Sequence, residues 1–336
     1  MRGFFRLCWV MAVVHLLSTP APAQQQAPAA AANAVAATVN GEAIYEKAVQ
    51  RGLQFAPPDK HAEARPEILN VLIDNTLVSQ YLTRSQVTVD KKDVDARINE
   101  ARAQLKNDKA EFDKMLKQMM MTEDELRTYI ANELRWEKHV ARQATEQALR
   151  DLFDKNREIF DGSMVRARHI LLTPKPGDAR ASEAAQAELI AVKKQVEAKV
   201  AAGLAELKPT ADNLEREKQR VKLIEEAFSA IAKEKSACPS RAEGGDVGWF
   251  ARAGNMVEPF AKAAFALQPY QMSDVVTTLF GPHLLLVTGR KPGKDVKFDD
   301  ANVKQAVTYI FGERLREALC AQLRQGARIV INPPPK

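Results

Sequence analysis

The stretch CPSRAEGGDVGWF, residues 238–250, sets a cysteine beside a glycine pair and a short alternating run. Only three cysteines occur in 336 residues, Cys8, Cys238 and Cys320, so a thiol next to a turn invites a chemical reading. His169, in VRARHILL, and His283, in FGPHLLLV, are imidazoles that could accompany it. A thiolate beside an imidazole base would be a nucleophile for hydrolysis. Nothing in the sequence marks an oxyanion hole or a third triad member, which weighs against that chemistry. Each residue also has an ordinary structural reading. A lone cysteine is usually a buried small hydrophobe. A histidine on an apolar face usually belongs to the core. Met256 and Phe260, four apart at a helix start, fit a core stripe. Gly244, Gly245 and Gly248 serve turns under any function.

The surrounding pattern predicts the elements that must position these groups. Residues 164–172, MVRARHILL, alternate as a strand, with His169 on the face of Val165, Ala167 and Leu171. Pro174, Pro176 and Gly177 end it. Two helical stripes follow, Leu189, Val192, Val196, Val200, Leu204, Leu207 and then Leu214, Val221, Ile224, Phe228, Ile231. Lys208-Pro209-Thr210 separates them, and Asp212 with Glu215 starts the second, so the pair reads as an antiparallel helical hairpin. After the cysteine loop come the strand DVGWF, the short helix EPFAKAAF, and the strands DVVTT and HLLLVT. This order predicts a small α+β domain ending near Arg290.

Residues 38–160 are nearly all helical in pattern, after ATVNGEAI (37–44), a short strand with an Asn-Gly turn. Leu69, Leu72, Ile73 and Leu77 trace one helix face, Asp90 caps the helix of Val94 and Ile98, and Thr122 with Glu125 forms a capping box. Met119, Met120 and Met121 fit core filling at a helix end at least as well as an adaptable surface. From Phe298 a last helix carries Val303, Val307, Ile310 and Leu315, a stripe that must be buried, so it should return to the helical domain. Cys320, on the same helix, reads as a buried small hydrophobe. At the front, Arg2 and Arg6, the apolar run Leu7–Leu17 and Ala21-Pro22-Ala23 predict a secretory signal peptide, residues 1–23, with a disordered Ala/Pro/Gln leader over 24–37. Export would place the chain in an extracytoplasmic, periplasmic compartment. Formal net charge is +6 with both signs interleaved, and no basic block points to nucleic acid.

VRARHILLTP, KSACPSRAEGGDVGWFARAGNMVEPFAKAAFAL and VVTTLFGPHLLLV resemble, in order and spacing, the three signature blocks of parvulin-type (PpiC, rotamase) peptidyl-prolyl cis-trans isomerases. The flanking pattern resembles SurA- and PrsA-like extracytoplasmic foldases. The resemblance implies an α+β parvulin domain over 163–291, a four-stranded antiparallel sheet with helices and an extended helical hairpin at 182–235. This domain would be inserted in, or flanked by, an all-α chaperone domain made of 38–160 and the returning piece 297–331. It implies a site of His169, Cys238, Thr278 and His283, with Val247, Phe250, Met256 and Phe260 as the slot for the proline ring. It implies no cofactor and no metal, and unfolded proline-containing exported polypeptides as partners.

Physical chemistry agrees with that implied site. Rotating an X-Pro bond means breaking amide resonance, a barrier of about 18–20 kcal/mol, and without catalysis it takes tens to hundreds of seconds. The catalyst needs an apolar slot and polar groups that favour the twisted amide, and no covalent step. The loop TPKPGDARAS carries only Lys175 and Arg180, which argues against phosphoproline specificity, and Gly203–Glu226 lengthens both arms of the hairpin. The competing reading is a holdase that uses the parvulin domain only to bind peptide.

Overall fold

The computed structural model describes residues 33–335 apart from Lys106 and Pro176, so the expected signal peptide and most of the leader lie outside the described residues. The chain divides into two compact units, one of residues 1–149 with 308–336 and one of residues 150–307. The second is wider at both ends than 163–291.

In the first unit, β1 (Val35–Val39) and β2 (Glu42–Tyr45) form a hairpin. Asn40 and Gly41 at its tip both have positive φ, 52° and 89°. That is the two-residue turn whose twist matches antiparallel strands, which explains the Asn-Gly pair. The strand starts inside the expected leader 24–37, and its Ala36 and Ala37 are fully buried. Alanine-rich composition hides this strand because its partner comes from the other end of the chain. β7 (Ile329–Ile331) pairs antiparallel with β1, giving the order β2-β1-β7. The domain expected to be all-α therefore also carries a small sheet.

The helices of this unit are α1 (Glu46–Leu53), α2 (His61–Arg84), α3 (Lys91–Gln104), α4 (Lys109–Gln118) and α5 (Glu123–Gln143). The capping box is present: Glu125 N donates to Thr122 Oγ1 at 3.1 Å and Thr122 N to Glu125 Oε2 at 2.7 Å. Met119 and Met121 pack on the core of Val94, Ile98, Phe112 and Leu126, so they fill core. α6 (Glu146–Lys155) and α10 (Ala301–Gln325) each cross a border between the units. Late in α10, Leu319 and the free thiol Cys320 are buried with Val78, Leu82 and Trp136, while Leu323 packs on Ala36, Val39 and Ile73. The two ends of the chain thus share one core.

The second unit is built on β3 (Met164–Leu171), β4 (Asp246–Ala251), β5 (Val276–Thr278) and β6 (Gly281–Lys291). They form one antiparallel sheet in the order β4-β3-β6-β5. Period-two alternation splits the side chains between two cores. Ile170, Leu284 and Leu286 face the hairpin of α7 (Ala179–Ala205) and α8 (Asn213–Lys235), packed on Leu189, Val192, Val196, Ile224 and Phe228. Val165, Ala167, Leu285 and Val287 face α9 (Glu258–Ala266), packed on Phe250, Phe260 and Phe265. At the border of this unit, Phe153 of α6 stacks on Phe160 and Phe298 at 5.8 and 5.9 Å between ring centres.

Candidate active site

His169 lies one alternation beyond Val165 and Ala167 on β3, on the face that receives α9. β6 runs beside β3 and supplies His283 from its first turn of sequence, where Leu171 opposes His283 across the ladder. The two rings stack with centres 5.3 Å apart and an interplanar angle of 18°. Their Nδ1 atoms are 3.1 Å apart. Both residues are buried, His169 to 5% exposure and His283 to 3%. Phe260 sets its ring edge-on to both, at 5.4 Å from His169 and 5.5 Å from His283.

Hydroxyls sit at both ends of the imidazole pair. Thr278 Oγ1, from β5, is 2.8 Å from His283 Nε2 and accepts a hydrogen bond from Phe280 N at 3.1 Å. Ser240 Oγ is 3.1 Å from His169 Nε2. The result is a continuous chain, Thr278–His283–His169–Ser240. Burial pushes both imidazoles down to about 4, and for His283 the adjoining His169 adds to the effect. Protonating either ring would put charge into an apolar enclosure and set N–H against N–H. Both rings are therefore neutral at pH 7, each with one donor and one acceptor nitrogen.

The cysteine loop is latched to β3 at both ends, which accounts for its glycine pair. Ala237 N donates to Leu171 O at 2.8 Å, and His169 N donates to Gly245 O at 2.9 Å. Gly245 has φ +81°, and a Cβ there would lie 2.3 Å from the His169 carbonyl oxygen. Only glycine combines that backbone conformation with that approach. Gly245 N in turn donates to Ser240 O at 2.9 Å, fixing the turn that presents Ser240. Cys238 caps the 3-10 turn Pro239–Glu243 and is half-buried. Among the described residues no hydrogen bond joins its thiol to either histidine. The hydroxyl two residues further on, carried round by the turn, holds that place. Sequence reasoning passed over Ser240; the signal available was its position inside the same signature block.

The slot residues divide into rim and floor. Val247 and Met256 are half-buried and pack at the edge of the Phe260 core, whereas Phe250, expected to line the slot, is only 2% exposed. Its ring stands 5.8 Å from Phe260 and supports it from beneath. Arg252, also unforeseen from sequence, is buried and grips Glu258 with two hydrogen bonds, 2.7 and 2.6 Å. That bidentate pair fixes the first turn of α9 and with it Phe260.

Two family models match: a SurA-like N-terminal domain over residues 5–140 and a PPIC-type PPIASE domain over residues 199–289. The second begins after His169, so that residue rests on the geometry above. Foldase protein PrsA of Bacillus subtilis is 35% identical over 115 residues, 34% of this chain and 36% of that protein, so the match spans about a third of that relative. Foldase protein PrsA of Clostridium botulinum is 26% identical over 313 residues, 86% of this chain and 84% of that one. A crystal structure of the peptidylprolyl isomerase PrsA from Bacillus anthracis aligns over 77% of this chain and 96% of its own, at 21% identity and a TM-score of 0.44. With an isomerase domain of this type behind a SurA-like N-terminal domain, the chain belongs to the parvulin-type, or PPIC-type, peptidyl-prolyl cis-trans isomerases of the SurA/PrsA foldase kind.

Proposed function

We propose that this chain rotates X-Pro bonds in unfolded, exported polypeptides, and that His169, His283 and Thr278 form the polar side of the site. The observation that carries the assignment is the buried, neutral imidazole pair stacked on Phe260 and tied to Thr278. Phe260, Met256 and Val247 present the apolar surface for the pyrrolidine ring. As the amide twists, its resonance is lost and its electron distribution changes. Groups already aimed and already desolvated stabilise that form without reorganising. Two neutral rings with fixed donor and acceptor sides meet this requirement. A thiolate hydrolase fits less well, since no hydrogen bond joins Cys238 to an imidazole among the described residues.

The first unit serves as the chaperone part, holding client chains. Delivery outside the inner membrane, into the periplasm, rests on the Arg2/Arg6, apolar-core and Ala21-Pro22-Ala23 pattern. It agrees with the absence, among the described residues, of a helix long and apolar enough to cross a membrane. The test is prolyl-peptide isomerisation by the full chain beside Thr278→Val and His283→Gln. Both variants, still folded, should lose most of the rate while suppression of client aggregation persists. Wild-type protein that suppresses aggregation yet leaves the isomerisation rate at its uncatalysed value would make the parvulin domain a binding module only.

A further inference from the structure

The Nδ1-to-Nδ1 contact restricts the imidazole pair more than either histidine alone would suggest. At 3.1 Å, two neutral rings can bond there only if one nitrogen carries the proton and the other offers its lone pair. The rings must therefore hold opposite tautomers. If His283 is protonated on Nδ1, its Nε2 accepts from Thr278 and His169 Nε2–H donates to Ser240. If His169 is protonated on Nδ1, its Nε2 accepts from Ser240 and His283 Nε2–H donates to Thr278. In the second arrangement the Thr278 proton is released, with the Gly281 carbonyl oxygen 3.4 Å away. The direction of the whole chain is thus settled at its ends, and only hydroxyls, able to donate and to accept, suit both directions.

We infer that Ser240 is a positioning residue of the isomerase reaction, acting through His169 to hold both imidazoles in opposite, fixed tautomers and so to set the state of Thr278. The inference rests on the proposed site. Its basis is the Ser240–His169 contact, together with the backbone that delivers it: Gly245 N bound to Ser240 O, and Gly245 O bound to His169 N. Serine is thereby fixed to the strand that carries its partner. Cys238, at the mouth of the same turn, takes no part in the chain.

The experiment uses the full chain, measuring prolyl-peptide isomerisation together with the ring-nitrogen NMR shifts of His169 and His283. Wild type should show one pyrrole-type and one pyridine-type nitrogen in each ring, with the protonated position opposite in the two. Ser240→Ala, checked as folded by thermal melting, should average those shifts and lower kcat roughly tenfold, with KM little changed, as expected for one lost bond to a neutral group. Ser240→Thr should restore both readouts. Should Ser240→Ala not fold, Ser240→Cys, a weaker donor of similar size, should give intermediate shifts and rate. Unchanged shifts and rate in a folded Ser240→Ala would overturn the inference. So would Cys238→Ala moving the ring shifts where Ser240→Ala does not. Thr278→Val and His283→Gln separate the two levels. If they too leave the rate untouched, the site itself is wrong. If they lower it while Ser240→Ala does not, only the role of Ser240 fails.

Discussion

Acid should leave this isomerase active well below the pH at which an ordinary histidine becomes charged. The perturbation is pH, and the structure supplies the magnitude. His169 and His283 are pushed to about 4 by burial, from an ordinary 6.5. At pH 5.5 an ordinary imidazole is roughly 90% protonated, whereas one at about 4 is only about 3% protonated. Since the mechanism needs both rings neutral, kcat/KM should be flat from pH 8 to about 5.5 and fall only as the pH approaches 4. The sign for stability follows from linkage. Between about 4 and 6.5 the unfolded chain binds more protons than the folded one, so stability is fully present above about 6.5 and is lost as pH falls through that window. For His169 the loss is on the order of 3 kcal/mol. The assay is isomerisation of a non-titrating prolyl peptide across pH 4–8, with denaturant melts at the same pH values. A half-loss of activity near pH 6.5, in protein that is still folded, would refute the reasoning, because it would mean that at least one ring is hydrated and free to charge.

Three further outcomes follow from particular contacts. Phe260→Ala removes a ring that touches both histidines and packs on Phe250, so it should cost about 3–5 kcal/mol of stability in this unit and roughly tenfold or more in kcat/KM; wild-type turnover in folded protein would displace the slot. Gly245→Ala forces a Cβ toward the His169 carbonyl at a left-handed backbone position, so it should lower the melting temperature and activity together; a fully active, equally stable variant would deny the latch. Deleting residues 326–336 removes β7 and its pairing with β1, so the first unit should melt earlier while isomerisation of a short peptide is retained; an unchanged melt would mean that the strand adds nothing.

Much of the site was legible in the chain because its information is local. Alternation along 164–172 put His169 on the face of Val165 and Ala167, which is the face that meets Phe260. Helical spacing defined the stripes of the α7–α8 hairpin, which pack as one core. Thr122 and Glu125 announced their helix start from three residues apart. The order of the three signature blocks identified the slot residues Met256 and Phe260.

Tertiary structure decided what depends on contacts between distant segments. His169 and His283 are 114 residues apart and His169 and Ser240 are 71 apart, so no periodicity shows whether cysteine or serine reaches the ring. The latching of a turn to β3, through Gly245, makes that choice. Phe250 reads as a slot residue from its block, but the strand pairing and α9 close over it, and burial turns it into a support. The strand of β1 was hidden in an alanine-rich leader because its pairing partner lies almost three hundred residues away. The depressed histidines belong to this class as well. A side chain's proton affinity is set by how much water the fold removes from around it, and only the packed structure fixes that.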